Sequence, residues 1–172
     1  MPQGPAAPRA RRLIPIPNTQ GGKLWALAAM PWSRHEDPQG ALIHLLRREM
    51  VDGVVVLAPC EEVRRAAGKD LLRWYRRQGM EPLHLPFAPE GVPERAALRE
   101  ALTQLQHWLA QGRHVVAHGH GEMRRVGFLA AAWLRWGERW PTQRALLWLA
   151  RQIPAARLSP TQRAFLEEEG PP

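Results

Sequence analysis

The residues best placed to do chemistry run from His118 to Arg125: His118-Gly119-His120-Gly121-Glu122-Met123-Arg124-Arg125. An apolar run, Val115-Val116-Ala117, leads into this segment, and an apolar helical pattern from Val126 to Trp136 leads out of it. A strand, a short loop with two glycines and a helix, in that order, let the amides of Gly119–Arg124 point inward as an anion nest. The positive end of the helix dipole then stands behind them. Arg125, at the helix entrance, adds a guanidinium that grips two oxygens of a tetrahedral oxyanion, with Arg124 at the rim. The spacing predicts a phosphate or sulfate cradle built from Gly119, His120, Gly121, Glu122, Met123, Arg124 and Arg125, with His118 in support.

Other chemistries compete for the same residues. His118 and His120 form a His-x-His pair, to which His84 and Glu122 add further potential zinc ligands. Their spacing matches no zinc pattern, so no metal site and no cofactor is expected. The alternative places His118 in the interior as a hydrogen-bonding group and His120 on the surface. A phosphohistidine at His120 would need a rearranged loop for in-line attack. Cys60 is the only cysteine, which excludes an internal disulfide and a cysteine-built zinc site. It reads as a passive thiol. Trp133, Trp136, Trp140 and Trp148 lie at helical spacing and are expected to pack a core rather than stack bases.

The elements that must hold the loop follow from periodicity. Uniformly apolar runs at 24–28, 53–57 and 115–117, with a proline-bounded one at 82–86, read as strands. Helical patterns open after Asp37-Pro38-Gln39-Gly40 (to Met50) and cover 61–67, 69–78, 93–111, 126–136, 142–151 and 159–168. Their alternation predicts an α/β three-layer sandwich with a mostly parallel sheet of four to five strands, 53–57 and 114–117 being central. Ligands then bind beyond the carboxyl ends of the strands, where the 118–125 loop falls. One domain is expected over residues 13–170, after a flexible basic leader at 1–12. The chain of 172 residues is 45% hydrophobic and has no apolar run long enough to span a bilayer. No secretory signal is visible, so a cytoplasmic location with no membrane partner is expected. A net charge of +8, nearly all arginine, is compatible with nucleic acid, but the arginines are dispersed and that partner is not favoured.

The loop resembles that of the cysteine-dependent dual-specificity and tyrosine phosphatases. That family carries an apolar strand, His-Cys, five residues, Arg, a Ser or Thr, and Gly, opening an alanine-rich helix. Here the same frame reads His118, Gly119, five residues, Arg125, Val126 and Gly127, followed by Phe128-Leu129-Ala130-Ala131-Ala132-Trp133-Leu134. The likeness extends to Leu83-His84-Leu85-Pro86 with Gly91-Val92-Pro93, and to the tail containing Gln162-Arg163-Ala164-Phe165. The resemblance implies a thiolate nucleophile at 119, a general acid near Pro89 and a hydroxyl at 126. The sequence has glycine, proline (with Glu90 beside it) and valine there, so no catalytic residue is intact. It implies a pseudophosphatase that keeps its phosphate loop and takes a phosphorylated ligand or phosphoprotein. Alternatives are an interaction scaffold for protein or nucleic acid, or a phosphoric monoester hydrolase without the cysteine route.

Overall fold

A computed structural model describes residues 12–172. The expected sandwich forms. Five strands order as β1-β2-β5-β3-β4: β1 (Leu13–Pro15), β2 (Lys23–Leu27), β3 (Gly53–Val56), β4 (Glu81–His84) and β5 (His114–His118). Every pairing is parallel except β1 with β2, so the sheet is mostly parallel and β3 and β5 are interior. Between the strands run α1 (Leu42–Arg48), α2 (Cys60–Ala67), α3 (Leu71–Arg77) and α4 (Arg95–Ala110). After β5 come α5 (Arg124–Ala132), a π-helical turn (Trp133–Gly137), α6 (Thr142–Gln152) and α7 (Pro160–Glu167).

Strand alternation divides the interior into two cores. Trp25, Leu27, Val54, Val56 and Val116 face α1–α3, packing on Leu46, Leu71 and Tyr75. Leu24, Ala26, Val55, Val115 and Ala117 face the other way, onto Leu105, Trp108, Phe128 and Trp133. Because both faces are covered, the parallel strands read as continuous apolar runs rather than alternating ones. Trp133 is fully buried and Trp136, Trp140 and Trp148 pack against the second core, as the helical spacing predicts.

Two features differ from the sequence reading. β1 is an additional antiparallel edge strand, with Ile14 opposite Ala26. Pro15 in the strand and Pro17 just after it imitate a loop, yet an edge strand tolerates a proline because one side of it makes no ladder. Residues 1–11 of the expected leader lie outside the described residues. The Arg12 carbonyl accepts from the Ala28 amide at 2.8 Å. The helix after the loop starts at Arg124 and widens to a π turn at Trp133, where a Cβ on Gly137 would meet the Trp133 ring at 2.5 Å.

Candidate phosphate site

The loop after β5 lies at the carboxyl end of the sheet, beside the start of α2 and the β4–α4 loop. Its fixed point is Arg125, whose side chain is wholly buried. Five contacts hold the guanidinium. Nη1 and Nη2 donate to the two carboxylate oxygens of Glu62 at 2.9 and 2.6 Å. Nη1 also donates to the Phe87 carbonyl at 3.3 Å and Nη2 to that of His120 at 3.0 Å. Nε donates to Glu122 Oε1 at 3.1 Å. The fork geometry to Glu62 is the bidentate pairing that suits arginine to buried positions.

Glu122 folds across the loop. Its other oxygen accepts from the Arg124 amide at the mouth of α5. One carboxylate thus bridges a helix N-terminal amide and the Nε of Arg125, two donors arranged as an oxyanion would use them. The amides of residues 119–123 donate to no acceptor among the described residues. Arg124 reaches outward, its Nη1 donating to Glu90 at 3.1 Å and its Nε to the Arg157 carbonyl at 2.6 Å. Glu62 and Glu122 are thus paired with Arg125, and the exposed Glu90 with Arg124 at the rim.

The remaining predicted residues are accounted for individually. His118 is fully buried: its Nδ1–H donates to the Gly119 carbonyl at 2.9 Å, which leaves Nε2 to accept from the Tyr75 hydroxyl at 2.8 Å. Burial pushes its imidazole down to about 4, the neighbouring Arg125 adding to the effect while the bond to Gly119 opposes it. Burial likewise raises the Tyr75 phenol well above its usual range. His120 is not simply on the surface, since its Nδ1 donates to Glu62 at 3.2 Å and its side chain is 23% exposed. His84 Nε2 donates to the Ala58 carbonyl at 2.9 Å, and its Nδ1 faces the Cys60 sulfur at 3.9 Å. Each of these three histidines has its own partner, and among the described residues no three His, Cys, Asp or Glu side chains gather as a metal cluster.

The His118 environment yields a pH prediction. The imidazole is neutral when folded and has an ordinary value of 6.5 when unfolded. Between 6.5 and about 4 the unfolded chain binds the extra proton. The associated stability is complete above 6.5 and is lost as pH falls toward 4, amounting to about 3 kcal/mol. Urea unfolding from pH 7.5 to 4.5 should show this slope, and His118→Gln should flatten it.

Sequence reasoning missed Glu62, Tyr75 and Gln162. Glu62 arrives from the first turn of α2, 63 residues before Arg125 in the chain, so only sheet topology brings it in. Gln162 Nε2 donates to the carbonyls of both Pro89 and Gly91 at 2.9 Å, and Ser159 Oγ donates to that of Glu90 at 2.6 Å. The segment that the resemblance marks as acid-bearing is thereby tied to α7 and the residue that caps it. The available signal was the capping box of Ser159 with Gln162, which locates the helix start but not its partner.

No family model and no curated protein matches the chain. Solved structures do. A kinase associated phosphatase whose catalytic cysteine is replaced by serine superposes with a TM-score of 0.76, at 21% identity over 85% of this chain and 84% of that one. The active form of Tk-PTP gives 0.72 at 24% identity, over 91% and 94%. PTPMT1 in complex with PI(5)P gives 0.69 at 23% identity, over 84% and 87%. The chain has the protein tyrosine and dual-specificity phosphatase fold. Within this phosphatase fold, the position implied for the nucleophile is empty of a side chain but not of space. A Cβ on Gly119 would meet nothing nearer than Arg125 Nε at 3.4 Å, an ordinary contact. Val126, at the implied hydroxyl position, is buried.

Proposed function

We propose that the chain is a non-catalytic member of this fold whose loop binds a phosphate-bearing ligand in the place of its own Glu122 carboxylate. The observation that carries this reading is the Glu122 bridge between the Arg124 amide and Arg125 Nε. A carboxylate paired with these donors supports the reading, because a phosphate oxygen requires donors of the same polarity. Gly119 removes the nucleophile, Pro89 and Val126 offer no proton, and Arg125 with the loop amides does the holding. Glu62 supports this by fixing the guanidinium in plane and leaving Nε toward the loop. A phosphoprotein or a phosphorylated lipid headgroup presents the same terminal group, and PTPMT1 in complex with PI(5)P is a neighbour in this fold.

Glu122 makes this a competitive arrangement. The incoming dianion must displace a like charge, so the natural chain should bind free phosphate weakly and Glu122→Ala at least about tenfold more tightly. Titration of phenyl phosphate and inorganic phosphate by calorimetry or phosphorus NMR measures this. Unchanged, undetectable binding in a folded Glu122→Ala chain would remove the loop from consideration and leave the scaffold reading.

A further inference from the structure

We infer that the outward face of α6 docks the protein on an anionic lipid bilayer. The inference is independent of what the phosphate loop holds. From Arg139 to Arg163 the sequence contains five arginines and no acidic residue. On α6, Arg144, Leu147, Trp148 and Arg151 follow the i, i+3, i+4, i+7 spacing that places them on one side, while Ala145 and Leu149 are buried on the other. Leu147 is 51% exposed and stands between the two arginines, and Trp148 is half-buried beside it. Among the described residues, no ion pair includes Arg139, Arg144, Arg151, Arg157 or Arg163.

A projecting aliphatic group flanked by arginines suits the boundary between headgroups and acyl chains. Nucleic acid is a poorer fit. The Trp140 ring is already covered by the Arg144 guanidinium at 3.9 Å, and Trp148 is packed on the core, so neither offers a free face for a base. Leu147 gains nothing against phosphodiesters. Charge alone does not single out α6, because α2 and α3 carry Arg64, Arg65, Arg73, Arg76 and Arg77. Neither α2 nor α3 itself exposes a large hydrophobic residue; Met50, 69% exposed, lies after α1, whose Arg47 reaches Gln78 at the end of α3. No helix of the described residues is long and apolar enough to cross a membrane.

Flotation of the full chain with phosphatidylcholine vesicles, with and without phosphatidylglycerol, tests this. Binding should require the anionic lipid and weaken with salt. Each arginine at such a surface contributes roughly fivefold and each new carboxylate adds repulsion, so Arg144→Glu/Arg151→Glu should reduce binding at least about twenty-five-fold. Leu147→Ser should reduce it about three- to tenfold. The charge-matched Arg76→Glu/Arg77→Glu variant should retain binding within a few-fold. Circular dichroism checks that each variant is folded, and Arg144→Gln with Leu147→Ser replaces the double reversal should it not fold. Equal losses in the two double variants, no binding to anionic vesicles, or binding to single-stranded RNA but not to vesicles would each overturn the inference.

Discussion

The Gly119→Cys/Glu122→Ala chain is expected to release nitrophenolate from p-nitrophenyl phosphate at least ~10³-fold faster than the natural chain. The backbone accepts a Cβ at 119, whose nearest neighbours would be Arg125 Nε at 3.4 Å and Arg125 Cβ at 3.6 Å. Removing the carboxylate at 122 frees Nε and the Arg124 amide for the phosphoryl oxygens. The thiolate then attacks phosphorus, an S–P bond forms as the O–P bond breaks, and water hydrolyses the thiophosphoryl enzyme. Nitrophenolate departs without an acid, so Pro89 is no obstacle with this substrate; an alkyl phosphate should stay nearly inert. Gly119→Cys alone should be slower than the double variant, because Glu122 still occupies the donors. Mass spectrometry of a trapped phosphocysteine gives a second readout. Comparable turnover by the natural chain would refute the non-catalytic reading, whereas an inert, folded double variant would show that the donors no longer converge.

The second large effect concerns stability. Arg125→Ala should destabilise the fold by about 3–5 kcal/mol, because it strands the Glu62 and Glu122 carboxylates and two carbonyls around a void. For a chain of this size that lowers Tm by about 6–20 °C, readable by thermal unfolding. Glu62→Ala should cost a similar amount by leaving a buried guanidinium short of two bonds. The double variant should fall well short of the sum, since the two residues form one network. Acid separates them further. The bonds from Arg125 hold the Glu62 carboxyl below its usual value despite its partial burial. Its contribution is complete above 4.5 and is lost as pH falls below that value.

What the sequence disclosed and what it concealed divide along chain distance. The strand, loop and helix from His114 to Ala132 were legible because each is a local pattern: β-branched apolar run, paired glycines, alanine-rich helix. The same holds for the parallel sheet, whose double burial is written in uniformly apolar strands. Glu62 was not legible, because an acid in the first turn of a helix is ordinary and its meeting with Arg125 depends on β3 lying beside β5. β1 was hidden by prolines that an edge permits. Glu122 was visible as a residue, but its direction is set by three-dimensional donors, the Arg124 amide and Arg125 Nε, that spacing alone does not orient. The expected exposure of His120 failed for the same reason, its partner being Glu62.

The clamp on residues 89–91 bears on timing. Three consecutive carbonyls are bound by Gln162 and Ser159, which fastens the wall of the cradle to α7. On the proposed reading, this wall need not swing to admit a phosphate, while Glu122 must rotate off the Arg124 amide and Arg125 Nε, a side-chain event of picoseconds to nanoseconds. Exchange would then be fast on the side of residues 89–91, as for a receiver rather than a slow trap.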